Sequence, residues 1–152
     1  MEEYNNEKYN NLENVENLFK RINRFGNEYN YCFGCFVPPS LLPMTLGAIG
    51  GIIETSKRKN ITGYFVNKNK EGICLIPLIV DDNKIIQIDI DGYIDIKSEK
   101  IKSVKIRSED FIYKRITITL NDETKYIMMS AKKIKGANYH KTNLNSFIQA
   151  YS

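Results

Sequence analysis

A chain of 152 residues with 42% hydrophobic and 26% charged side chains has the length and composition of one ordinary globular domain, which excludes a disordered chain. Its 22 basic side chains against 18 acidic ones leave a net charge of only +4, too little to argue for nucleic acid, and no RNA-recognition signature is present. Three cysteines (Cys32, Cys35, Cys74) point away from a disulfide scaffold, and MEEYNNEKYNNLENVENLF has neither the basic nor the apolar region of a secretory signal, so the expected location is cytoplasmic.

In chain order, residues 3 to about 24 predict an amphipathic helix. Leu12, Val15, Phe19 and Ile22 recur at helical spacing, Leu18 widens the stripe, and Gly26 follows as a stop signal. This sets off residues 1–28 as an N-terminal helical extension that packs on the domain, residues 29–152, or on a second copy. From Tyr29 to Ile53 there is no charged residue, which invites comparison with a membrane span of about 20 apolar residues. Gly47 and Gly51 even have the spacing of a helix-dimer motif. Pro38, Pro39 and Pro43 would break such a helix, so YNYCFGCFV is read as a first strand, the prolines as a crossing, and TLGAIGGIIETSKRK as a short helix or turn.

From residue 61 the period changes to two. Thr62 to Asn67 and Ile73 to Val80 are dense in β-branched and aromatic residues around a turn at Lys68–Gly72. Ile86, Ile88 and Ile90 alternate with polar residues, and Asp91-Gly92 predicts a two-residue hairpin leading into Ile94 and Ile96. Val104 and Ile106, then Ile116, Ile118 and Leu120, then Lys125 to Ser130 complete the strands. Leu144, Phe147, Ile148 and Tyr151 stand at i, i+3, i+4 and i+7, a helix with one apolar face placed to cover an open part of the sheet.

The segments ITGYFVNKNKEGICLIPL, SEKIKSVKIRSEDFIYKRITITLNDETKYIMMSAKKIKG and NLNSFIQAYS, in that order, resemble the bacterial pleckstrin-homology-like (PH/GRAM-like) domains over roughly residues 61 to 151. The resemblance lies in the pattern of elements and not in a motif, and the tryptophan frequent in the last helix of such domains is missing here. It implies a mostly β (α+β) fold, a partly open antiparallel barrel of about seven strands capped by a C-terminal helix. It also implies a scaffold that binds lipid head groups, peptides or proteins.

The residues that could carry chemistry mostly have simpler readings. Cys32-x-x-Cys35 has a zinc-like spacing, and Cys74 and His140, the only histidine, could complete a site, but in an extended strand Cys32 and Cys35 point to opposite faces. Buried thiols and no metal are therefore expected. Asp89-x-Asp91-Gly92 puts Gln87 and Ser98 where a calcium loop needs its first and twelfth ligands, which excludes that loop. His140 reads as a surface or capping residue, and no nucleophile elbow, P-loop or dinucleotide fingerprint occurs. No catalytic residue and no cofactor are expected.

The basic residues are more informative: Lys114 and Arg115 stand in a strand neighbouring that of Lys105, and Lys132, Lys133 and Lys135 follow the last strand. Six are expected to share a surface, Lys57, Arg58 and Lys59 before the second strand with Lys102, Lys105 and Arg107. Val104 and Ile106 need the core, so Lys105 and Arg107 point outward, and Lys102 breaks the register near the strand end. These six form the expected ligand-binding surface of a non-enzymatic module for a protein partner or anionic lipid head groups, cytoplasmic or peripheral at the membrane. The competing expectation is a structural protein that homo-oligomerises through the N-terminal helix and the uncharged 29–53 stretch.

Overall fold

Strands β1 (Tyr31–Phe36), β2 (Gly63–Asn69) and β3 (Gly72–Asp81) are apolar along most of their length because both of their faces are covered. The computed structural model describes residues 6–25, 31–37, 61–81 and 84–151. On one face, Phe33, Cys35, Tyr64, Val66, Ile73 and Leu75 join the larger core. On the other, Cys32, Phe65, Cys74, Ile76 and Leu78 form a second core. The two-residue period of a strand sends neighbouring side chains to opposite cores, so one run of sequence serves two layers.

The second core is closed by α1 (Leu12–Arg21), whose Val15, Leu18 and Phe19 are buried. Asn11 caps it, its Oδ1 accepting the Glu13 amide at 2.9 Å, and a 3-10 turn over Asn6–Asn10 adds Tyr9 to the same core. The expected amphipathic helix is thus present, shorter than its periodic stretch, and its apolar stripe lies on the chain's own sheet.

The remaining strands are β4 (Lys84–Ile88), β5 (Ile94–Lys97), β6 (Ile101–Ser108), β7 (Tyr113–Leu120) and β8 (Lys125–Ala131). All pairings are antiparallel, in the order β4-β3-β2-β1-β8-β7-β6, with β5 also on β3. The two halves meet where Phe36 pairs with Met129. Strand β6 does not pair with the β4/β5 edge, so the sheet remains a partly open barrel, as the pattern of elements led us to expect. Helix α2 (Asn138–Ala150) lies over the larger core with Leu144 and Phe147 buried and Ile148 and Tyr151 packed against it. The Phe147 ring sits 5.0 Å, centroid to centroid, from both Phe33 and Tyr151. Asn143 Nδ2 donates to the Cys32 carbonyl at 3.0 Å, and the Tyr139 hydroxyl donates to the Tyr9 carbonyl at 2.8 Å, tying the helix to β1 and to the N-terminal turn.

One local expectation is corrected. Asp91-Gly92 does not join two strands that pair with each other; β4 and β5 both pair with β3. Ile88 faces Leu78 and Ile94 faces Leu75, so residues 89–93 carry the excess chain between two pieces of one interrupted strand. Asp89 Oδ1 accepts the Gly92 amide at 3.0 Å within this excursion. A turn signal reports how the chain bends and not what the flanking strands pair with. Gly72 is constrained differently: with φ of 153°, a Cβ on it would fall 2.0 Å from the Ile96 carbonyl oxygen. Among the described residues no helix is long and apolar enough to cross a membrane, and the proline run and TLGAIGGIIETSKRK lie outside those residues.

Candidate functional site

Of the six cations expected to share one surface, the described residues include Lys102, Lys105 and Arg107. Lys57, Arg58 and Lys59 lie outside the described residues. Lys102 occupies a bulge between Ile101 and Ser103 and pairs with Glu123, at the end of β6 that adjoins the β7–β8 turn. Lys105 and Arg107 are exposed and outward, as expected, while Val104 and Ile106 pack against the larger core. With about 3.4 Å of rise per residue, Lys102 and Arg107 are separated by roughly 17 Å along the strand.

At the other end of β6 the β6–β7 turn gathers a different set. Arg107 stands directly opposite Arg115, a like-charge pair that would repel, and Glu109 lies between them. Its Oε1 is 3.6 Å from Arg107 Nε and 2.7 Å from Arg115 Nε. Asp110 then shapes the turn, its Oδ1 accepting the amides of Ile112 at 2.7 Å and Tyr113 at 2.9 Å. The turn projects Phe111, which is 98% exposed, and Ile112, which is 59% exposed. Lys114 Nζ donates to Ser108 Oγ at 2.9 Å. The β8–α2 connection adjoins the turn, since the Lys132 amide donates to the Ile112 carbonyl at 2.8 Å. That connection adds Lys132, Lys133, Lys135 and Ile134, the last 40% exposed.

The cations Arg107, Lys114, Arg115 and Lys132 therefore collect around this end beside the carboxylates of Glu109 and Asp110, and Lys133 and Lys135 follow Lys132 in the chain. At the Lys102 end the signs are mixed, with Glu99, Asp122 and Glu123 among Lys100 and Lys102. Sequence reasoning recorded several of these lysines but missed Phe111 and Ile112. Their signal was an apolar pair inside SEDFIYKR, between polar turn residues and two cations.

The cysteines and histidine do not assemble. Cys32 belongs to the second core and Cys35 to the larger one, on opposite faces as the strand period requires. Burial pushes the Cys32 and Cys74 thiols up to about 12 and raises that of Cys35 as well, so all three favour the protonated form. Asn67 Nδ2 donates to Cys32 Sγ at 3.1 Å. His140 corrects its surface reading: it is fully buried in the first turn of α2, donating from Nε2 to the Ala131 carbonyl, with its ring edge-on to Phe33. Its position four residues before Leu144 put it on the apolar face from the start. Desolvation holds its pKa below the usual value for imidazole. Among the described residues no three His, Cys, Asp or Glu side chains converge as a metal would need.

A hollow of about 710 Å³ between α1 and the β4–β5 excursion is lined by Lys8 and Arg21 on one side and Asp89 and Asp91 on the other. Its two cations and two carboxylates leave the described lining without net charge. Comparison of the chain with protein-family models, with curated proteins and with solved structures finds no match.

Proposed function

We propose that this protein is a non-enzymatic binding module of the pleckstrin-homology-like type, attached to an anionic surface by the end of its barrel formed by the β6–β7 turn and the β8–α2 connection. The observation that carries this reading is the gathering of Arg107, Lys114, Arg115 and Lys132 around one projecting turn, with Lys133 and Lys135 following in the chain, against the carboxylates of Glu109 and Asp110 among the described residues. Each cation held at an acidic leaflet contributes about 1 kcal/mol, so three or four unpaired lysines support weak, reversible attachment that salt reverses.

The helix-driven assembly reading has less support, because the α1 stripe of Val15, Leu18 and Phe19 is buried within the chain. Co-sedimentation with vesicles that contain or lack phosphatidylserine, at low and high salt, tests the anionic-surface reading. Expected is binding only to the acidic vesicles, lost at high salt and weakened by Lys132→Glu with Lys133→Glu. Equal retention on neutral vesicles, or none on acidic ones at low salt, refutes it.

A further inference from the structure

We propose that the β6–β7 turn is a membrane wedge: Phe111 and Ile112 enter the interface of an anionic bilayer while the surrounding cations hold its head groups. This inference rests on the anionic-surface reading above and adds an apolar, depth-dependent step to it.

A single exposed phenylalanine on a soluble domain carries no message. Here the large apolar side chains exposed among the described residues are Phe111, Ile112 and Ile134; the first two form the tip of the basic turn, and the third follows two residues after Lys132, whose amide is bonded to Ile112. Phe111 at 98% exposure touches almost nothing of its own chain, so it contributes nothing to the core and its ring is free to be buried elsewhere. The turn that presents it is also closed by hydrogen bonds. Two amides converge on Asp110 Oδ1, Glu109 N donates to the Tyr113 carbonyl at 3.1 Å, and the Ile112 carbonyl is held by Lys132 N. Presenting an apolar tip this way costs little ordering entropy on binding.

Shape selects the occupant. A stable protein interface needs about 800 Å² on each side, arranged as a complementary patch. A convex turn bearing two apolar side chains offers far less, but it suits a bilayer interface, where apolar groups settle about 5–10 Å deep among head groups and upper acyl chains. Cations beside the wedge then lie level with phosphate and carboxylate groups, where long lysine side chains keep their charge in the polar layer. The Arg107–Glu109–Arg115 cluster shares one carboxylate between two guanidiniums and so keeps a net positive charge beside the tip.

The chain has no tryptophan, so Phe111→Trp places a lone reporter at the tip without disturbing the core. On vesicles containing phosphatidylserine its emission should move to the blue and be quenched by lipids brominated high on their acyl chains. Phe111→Ser with Ile112→Ser should bind roughly tenfold or more weakly, while melting like the parent protein. Salt-sensitive binding with an unshifted tryptophan, and no loss in the double serine variant, would overturn the wedge and leave the anionic-surface reading intact. A blue shift that is equal on neutral vesicles would overturn the electrostatic reading and, with it, the proposal that an anionic bilayer is what the wedge enters. No vesicle binding by any form, with the tryptophan emission fixed, removes both.

Discussion

Removing the Phe147 ring tests whether α2 closes the barrel or merely rests on it. The side chain is fully buried, edge-on to Phe33 and tilted against Tyr151, each 5.0 Å away, in the core that also contains Leu144, Tyr64 and Met128. Phe147→Ala loses the transfer free energy of the ring and leaves a cavity that rigid strands cannot collapse, about 3–5 kcal/mol in comparable cores. The two lost ring contacts place the expectation in the upper part of that range. Against a total stability of about 5–15 kcal/mol the variant should fold but melt roughly 8–20 °C lower. Urea titration followed by far-ultraviolet circular dichroism should show a lower midpoint with an unchanged slope. A loss below about 1 kcal/mol, the size of an exposed substitution, would mean that α2 does not cover the core.

Two further outcomes concern buried titratable groups. Because His140 holds its proton more weakly when folded than unfolded, stability should be complete above about pH 6.5 and decline as pH falls below it, by at most about 1.4 kcal/mol per pH unit. His140→Leu should flatten that decline between pH 6.5 and 5, and equal slopes in both proteins would show that the imidazole is not the group responsible. Burial and raised pKa values make the three thiols poor nucleophiles, so an aromatic disulfide reagent should label folded protein only as fast as it opens and titrate all three in guanidinium. Immediate labelling at pH 8 would contradict their placement in the cores.

The parts of the fold legible in the sequence were those written as a local period. Leu144, Phe147, Ile148 and Tyr151 declared the apolar face of α2, and the outward Lys105 and Arg107 followed from Val104 and Ile106. The irregular parts depended on partners far along the chain. Nothing near Asp91-Gly92 specifies that both flanking segments pair with β3, because that register is set by Leu75 and Leu78 across the sheet. For the candidate site, the cations were visible as residues, but their grouping was not. Lys102 and Arg107 share a strand and yet belong to opposite ends of it, and Phe111 reads as one more apolar residue until Asp110 is seen to turn it outward.

The double covering of β1, β2 and β3 has a kinetic consequence. Their two faces are closed by helices drawn from opposite ends of the sequence, and the Tyr139–Tyr9 hydrogen bond joins residues 130 apart. A chain emerging from the ribosome can lay α1 on the Cys32 side early. The Phe33 side stays bare until β8 and the thirteen residues of α2 have been made. Contacts of such long sequence separation slow folding and leave an apolar sheet exposed meanwhile. During synthesis, nascent β1–β3 should therefore be the segment that chaperones bind, and loss of α2 should be felt first as aggregation and only second as a lower melting point.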